Sequence, residues 1–225
     1  MTPGVSQPLP GQGFAPWLRE RTASLSERAY ERIDASPPGF RAASVLVPMW
    51  EHEGRVQVAL TLRTAHLSAH SGQISFPGGR RDPEDTSLMA TALRETEEEL
   101  GIPSAAVKDI VRFDDAWSIQ RYIVATYVGW LEERPTLVPS PHEIERVIIA
   151  DVEELMFGGL HRVVRMKRGG ARFDVHYFDV GDDTVWGLTG GILYGLFEAV
   201  RGRELAPSSR ASVTLAQFLD GAAPS

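Results

Sequence analysis

Four glutamates crowd the stretch Arg94-Glu95-Thr96-Glu97-Glu98-Glu99-Leu100-Gly101-Ile102. A helix is expected over residues 87–100. Leu88, Ala92 and Leu93 give it an apolar side, Asp85 or Thr86 suits its N-cap, and Gly101 suits the position after its last turn. Residues three and four apart share a helix face, which groups Glu95 with Glu98 and Glu99 and sends Glu97 elsewhere. As a merely solvated surface this grouping is unfavourable. Carboxylates at the negative end of the helix dipole each cost ~0.3–1 kcal/mol, and like-charged neighbours add to that. A hard divalent cation removes both penalties, because carboxylate oxygens on one face are what Mg²⁺ or Mn²⁺ takes as ligands. Arg94 is placed to pair locally and hold one of the carboxylates. The chemistry these residue types suit is therefore metal-assisted hydrolysis, in which a bound ion acts as Lewis acid and activates a water.

A glycine turn, Phe76-Pro77-Gly78-Gly79, leads from a short expected strand (74–76) toward this helix. Glycine lacks Cβ, so backbone amides at Gly78 and Gly79 are expected to come close to a bound anion. Upstream, residues 42–50 and 56–63 read as a hairpin turned at Gly54, with Val58, Leu60 and Leu62 alternating. Downstream, strands are expected at 107–113, 122–131, 143–150 and 173–178, and helices at 152–157 and 188–200. Residues 1–16 carry four prolines and three glycines and are expected to form a flexible arm. An amphipathic helix follows over 17–33, broken by Ser36-Pro37-Pro38-Gly39. The expected organisation is thus an arm plus helix over 1–39 and a catalytic domain over 40–225. Strands and helices mix without regular βαβ alternation, which points to an α+β fold rather than a doubly wound parallel sheet.

The 225 residues are 43% hydrophobic and 24% charged, enough for a substantial core. A net charge of −7 argues against nucleic acid held by a general basic field. With no cysteine, the chain has no disulfide, thiolate nucleophile or Cys-ligated zinc. The first residues lack a basic segment followed by an apolar run, and the apolar stretches are strand-length. The expectation is a soluble cytoplasmic protein with a small-molecule partner and no membrane or nucleic-acid partner. Its oligomeric state is left open, a homodimer included.

Gly79 followed by Arg94-Glu95-x-x-Glu98-Glu99-x-Gly101-Ile102 closely resembles the Nudix box, G-x5-E-x7-R-E-U-x-E-E-x-G-U with U a bulky aliphatic residue. The chain departs from it twice. Thr96 stands at a U position, and the spacing from Gly79 is one residue longer, so Thr86 falls where the first box glutamate is expected and Glu84 or Asp85 is left to substitute. Residues 60–79 are similar to the signature upstream of the box in coenzyme A-type Nudix pyrophosphatases. Arg63, Leu67, His70, Gly72, Gln73 and Phe76 to Gly79 match, while Ser68 replaces an expected arginine. Val185-Trp186-Gly187-Leu188-Thr189-Gly190-Gly191-Ile192-Leu193 resembles a further segment of that subfamily.

The resemblance implies a Nudix-type α/β/α sandwich with a mixed central sheet. It also implies hydrolysis of the diphosphate of coenzyme A to 4′-phosphopantetheine and 3′-phosphoadenosine 5′-phosphate. A broader dinucleotide or nucleoside-diphosphate hydrolase, acting on ADP-ribose, NADH or dinucleoside polyphosphates, is the alternative, and an inactive nucleotide-binding Nudix domain a further one. Glu95 and Glu99 are then the main ligands of Mg²⁺ or Mn²⁺, with Glu98 a further ligand or neighbour. The general base is Glu98 or Glu143, although Glu143 and Glu145 also suit outward positions on a strand. Arg63 suits a substrate phosphate or a surface salt bridge. His70 and Gln73 suit substrate or the pinning of their own loop, and Arg80 and Arg81 suit phosphates or solvent. Trp186 reads as a core residue, and His66, His161 and His176 have no metal spacing.

Overall fold

The structure is a computed structural model and describes residues 7–8, 12–27, 39–64, 72–118, 120–168 and 171–203. In chain order the elements are α1 (Phe14–Ala23), β1 (Arg41–His52), β2 (Arg55–Arg63), β3 (Ile74–Ser75), β4 (Gly78–Arg80) and α2 (Leu88–Leu100). There follow β5 (Val107–Arg112), β6 (Ala116–Trp117), β7 (Tyr122–Leu131), β8 (Ile144–Asp151) and α3 (Val152–Phe157). The last are β9 (His161–Arg168), β10 (Ala171–Val180), β11 (Asp183–Val185) and α4 (Gly187–Val200).

An eight-stranded mixed sheet forms the centre, running β3-β2-β1-β7-β5, with β8 on β2, β4 on β1 and β6 on β7. The long pair β1–β7 is parallel; its neighbours are antiparallel. Both faces are covered, which is why β1 and β7 read as nearly continuous apolar runs rather than as alternation. Leu46 and Trp50 point to the face on which α2 packs through Ala92 and Leu100. Val47 and Met49 point to the other face, packed by α1, α3 and α4. The result is an α/β/α sandwich on a mixed sheet.

Glu53 and Gly54, both at positive φ, make the tight β1–β2 turn that matches the twist of the paired strands. The first helix begins at Phe14, three residues before the expected start, and passes into a 3₁₀ turn at Ser24–Glu27. Phe14 and Ala15, expected in a flexible arm, are buried with Trp17 and Leu18 in the core. Thr22 accepts a hydrogen bond from Trp130 Nε1 at 3.0 Å, and Arg21 Nε donates to the Val200 carbonyl at 2.7 Å. The remainder of the expected helix and the Pro37-Pro38 break lie outside the described residues.

The strand expected at 173–178 is longer, Ala171–Val180, and pairs with β9 and β11 in a second, three-stranded sheet. Among the described residues no helix is long and apolar enough to cross a membrane.

Candidate functional site

The acidic helix α2 is N-capped by Ser87, whose hydroxyl accepts from Ala90 N at 3.0 Å. Neither Asp85 nor Thr86 caps it. The Asp85 carboxylate is committed elsewhere, to Arg94, Thr91 Oγ1 and the Asp82 amide. Thr96, the departure from an aliphatic residue, is fully buried because its hydroxyl donates back to the Ala92 carbonyl at 2.7 Å. At the other end Gly101 takes the left-handed conformation (φ 69°) and its amide reaches the Glu97 carbonyl at 2.9 Å.

The free carbonyls of the last turn would otherwise lack partners. The loop before β8 supplies them: Val138 N donates to Leu100 O (2.8 Å) and Ser140 N to Glu99 O (3.0 Å). These two bonds carry the chain onward to Glu143, whose carbonyl accepts from Thr64 N at 2.9 Å. Glu143, 80 residues from Arg63 in sequence, is thereby brought to the end of β2.

The glutamates separate into distinct environments. Glu99 is 2% exposed. Its carboxylate accepts from Arg63 Nη1 (3.0 Å) and from the Gly78 amide (3.3 Å). Burial pushes its pKa up to about 8, against the opposing pull of the Arg63 guanidinium and the Gly78 amide; Glu95 and Glu143 push it further up. Burial also raises Glu95, whose carboxylate lies against Gly79 and accepts from Arg94 Nη2 at 3.0 Å. Glu98 is largely exposed and pairs with Arg94 Nη1 at 2.8 Å. Glu97 faces away, as its spacing predicts, and accepts from the Ser104 amide and hydroxyl.

Two arginines organise the cluster. Arg94 binds Asp85 through Nε (3.0 Å) and Nη2 (3.1 Å), and also Glu95, Glu98 and the Arg80 carbonyl. Hydrogen bonding to Arg94 holds the Asp85 carboxyl well below the usual carboxylate range. Asp85, rather than Glu84 or Thr86, thus anchors the arginine that positions Glu95 and Glu98. Replacing it with Asn is expected to cost about 2 kcal/mol of stability, the scale of a hydrogen bond to a charged group. Releasing Arg94 is also expected to lower kcat/KM at least about tenfold. Urea midpoints and steady-state rates measured on the same preparation check both.

Arg63 is the second organiser. It bridges Glu99 and Glu143 (3.0 and 3.2 Å) and is half-buried, so it is part of the carboxylate cluster rather than a surface ion pair. Gln73 is exposed just before β3, its carbonyl accepting from Arg63 N at 3.3 Å. His70 lies outside the described residues. Arg80 and Arg81 are exposed, and Arg81 is tied to the Asp85 carbonyl at 3.1 Å.

The glycines are also required by close packing. A Cβ on Gly79 would lie 2.5 Å from the Glu95 carboxylate, and one on Gly78 would lie 2.3 Å from the Ser44 carbonyl. They make room for the Glu95 carboxylate and for strand β1, and the Gly78 amide donates to the Glu99 carboxylate at 3.3 Å.

Among the described residues no three acidic or histidine side chains are already drawn together around a cation position, since Arg63 and Arg94 stand between the carboxylates. The donor set nevertheless suits a hard cation. Glu99 is buried, raised in pKa and compensated by the Arg63 guanidinium, and Glu95 lies one turn away.

The NUDIX domain family model matches residues 40–167, which contain every element of this site. The chain belongs to the Nudix hydrolase family. Among its relatives is the uncharacterized Nudix hydrolase NudL of Photorhabdus laumondii, 33% identical over 72% of this chain and 86% of that protein. NudL of Yersinia enterocolitica is 31% identical over 80% of this chain and 94% of its own length. Among solved structures, the MutT/nudix family protein of Enterococcus faecalis aligns with 89% of this chain and 80% of its own at a TM-score of 0.50 and 15% identity, a likeness of fold. As a Nudix hydrolase, the chain is an enzyme of the class that cleaves nucleoside diphosphates linked to a second group. Two features of this Nudix site were not foreseen: the anchoring of the 138–140 loop on the helix end, which rests on backbone amides that carry no sequence signal, and the bridge from Arg63 to Glu99.

Proposed function

We propose that this Nudix hydrolase is a cytoplasmic, metal-dependent pyrophosphatase that cleaves the diphosphate of coenzyme A into 4′-phosphopantetheine and 3′-phosphoadenosine 5′-phosphate. One observation carries the reading. The two stretches that resemble the coenzyme A-type signature are 115 residues apart, yet they touch: Thr189 Oγ1 donates to the Ile74 carbonyl at 3.0 Å. Ile74 faces Leu62 across β2–β3, next to Arg63. Both stretches therefore adjoin the carboxylate cluster, which supports their serving one substrate.

In this reading Glu95 and Glu99 are the ligands of Mg²⁺ or Mn²⁺, and Glu98 stands beside them. A bound ion supplies neutralisation of the diphosphate charge and a bound water of lowered pKa. Arg94 keeps Glu95 and Glu98 oriented from its anchor on Asp85. Arg63, which meets the Glu99 carboxylate at 3.0 Å, would take a substrate phosphate at this end of the cluster. The Gly78 and Gly79 backbone admits Glu95 and Glu99 to this point, Gln73 borders it beside Arg63, and His70, outside the described residues, is assigned to the substrate by the resemblance alone. The base is Glu143: it accepts the proton of the attacking water as the new P–O bond forms and the bridging oxygen leaves with the other phosphate. Glu98 suits that task less, because Arg94 holds it at 2.8 Å and is itself locked to Asp85.

Replacing Glu143 with Gln is expected to lower kcat about 10²- to 10⁴-fold, with Mn²⁺ affinity little changed. Glu98→Gln should lower kcat far less. The reverse pattern would move the base to Glu98. The substrate is tested by steady-state rates on coenzyme A, NADH, ADP-ribose and diadenosine polyphosphates with Mg²⁺ and with Mn²⁺. Turnover of ADP-ribose equal to or better than that of coenzyme A would overturn the coenzyme A assignment.

A further inference from the structure

The carboxylate cluster accounts for the diphosphate and leaves the nucleoside end of such a substrate without a partner. Trp186 stands out there. The sequence reads it as a core residue, but it is 54% exposed, whereas its neighbours Val185 and Thr189 are buried. The reason is strand parity. Val185 and Phe178, cross-strand partners, point inward to α4, so Tyr177 and Trp186, one step along, lie on the opposite face of the three-stranded sheet.

On that face three flat groups stand in a row. The indole of Trp186 is parallel to the Tyr177 ring, with centroids 5.9 Å apart and planes at 10°. The Arg162 guanidinium lies 4.4 Å from the Tyr177 centroid, and Arg162 is Tyr177's cross-strand partner. Asp179 holds Arg162 at 3.6 Å and accepts from Thr184 Oγ1 at 2.9 Å. The back of the row is thus fixed by a cation and a ring. Among the described residues no second ring or guanidinium lies over Trp186. A large rigid ring left half in water, with its back held, presents a π-face at little further cost in conformational entropy.

The row is also tied to the strands that carry the catalytic side chains. Thr189, one turn along α4, is bonded to Ile74, and Asp183 of β11 is gripped by Arg146, the cross-strand partner of Leu62. Ile74 is four residues from Gly78, whose amide meets Glu99. That span, bent at Pro77, is shorter than the ~13 Å of a fully extended chain at ~3.3 Å per residue.

We propose that Trp186, backed by Tyr177 and Arg162, is the stacking platform for the purine base of the diphosphate substrate. A base has a flat π-face to offer whatever its hydrogen-bonding edge, and stacking of this kind is strong enough to set affinity. The proposal rests on the reading that a nucleoside diphosphate derivative is cleaved at the α2 carboxylates, and it is independent of whether coenzyme A is the preferred one.

The test uses the full-length protein, Trp186→Ala and Trp186→Phe. With coenzyme A and with ADP-ribose, the alanine variant should raise KM about tenfold or more while kcat changes far less, and the phenylalanine variant should restore most of the affinity. A readout without turnover accompanies it. Titration with AMP should quench wild-type tryptophan emission, inorganic phosphate should not, and Trp186→Phe should lose the quenching. If ADP-ribose proves the better substrate, the coenzyme A reading fails, while the same KM shift on ADP-ribose sustains the platform. If neither compound is cleaved, quenching by AMP that requires Trp186 sustains it. Unchanged KM in the alanine variant on every substrate turned over, or AMP leaving Trp186 emission unchanged, overturns it. So does sedimentation showing a dimer that Trp186→Ala dissociates while AMP leaves the emission unchanged, since the face would then be a contact between copies.

Discussion

Replacing Glu99 with Gln is expected to lower kcat/KM at least about a thousandfold while making the metal-free protein more stable at pH 8. Gln keeps the shape of the side chain and an oxygen for the Gly78 amide, so packing survives. It removes the charge that a divalent cation needs, a contribution of several kcal/mol at about 1.4 kcal/mol per factor of ten. The stability effect follows from burial. Glu99 titrates near 4.3 when unfolded and about 8 when folded without metal. Below the lower value both states hold the proton and the group contributes no pH dependence. Between the two values the unfolded chain has lost its proton and the folded chain has not, so stability falls as pH rises, by up to ~1.4 kcal/mol per unit. Above about 8 the two states are alike again and the loss levels off. Thermal melts in EDTA at pH 5 and pH 8 should therefore converge in the Gln variant relative to the wild type. Added Mn²⁺ at pH 8 should raise the wild-type Tm and leave that of the variant nearly unchanged. Full activity in the variant would remove Glu99 from the metal site.

Why this residue was legible, and others were not, comes down to the range of the forces that place them. The acidic grouping on α2 is set by helical spacing alone. Its boundary at Gly101 is set by a glycine that accepts positive φ, and the sorting of Glu97 away from Glu95, Glu98 and Glu99 is pure helix geometry. Strand β7 and helix α3 were equally plain, the one an unbroken apolar run and the other capped by Asp151. Strand β9 was missed because His161-Arg162-Val163-Val164-Arg165 shows no alternation. It is the edge of a small sheet, and Val163 and Val164 are both exposed. The N-cap at Ser87 was misplaced because Asp85, a good cap by type, is consumed by Arg94, nine residues on. Trp186 was misread because which face it occupies depends on its register with Tyr177, a tertiary fact.

Gly78 and Gly79 show how two identical adjacent residues come to do unlike work, and their alanine variants are expected to fail in unlike ways. A Cβ at Gly78 would lie 2.3 Å from the Ser44 carbonyl and 2.7 Å from Val45 Cα. Both are backbone atoms of β1, the strand that pairs with β2, β4 and β7, so they have little freedom to retreat. Gly78→Ala should therefore cost about 3 kcal/mol, the upper end for overpacking a filled core. It should also draw the Gly78 amide away from Glu99. At Gly79 the obstacle is the Glu95 carboxylate, 2.5 Å from the added Cβ, the mobile end of a long side chain. Gly79→Ala should leave the urea midpoint within about 0.5 kcal/mol of wild type, as for changes away from the core. It should displace Glu95 and weaken Mn²⁺ activation about 10- to 100-fold, the range for disturbing the support of a metal ligand. Part of the lost rate should return at high Mn²⁺ for Gly79→Ala. For Gly78→Ala added metal should leave the unfolding cost in place. Equal destabilisation by both changes would mean that Glu95 is as rigidly held as the backbone, and that Arg94 and Asp85 grip it more tightly than a single 3.0 Å contact suggests.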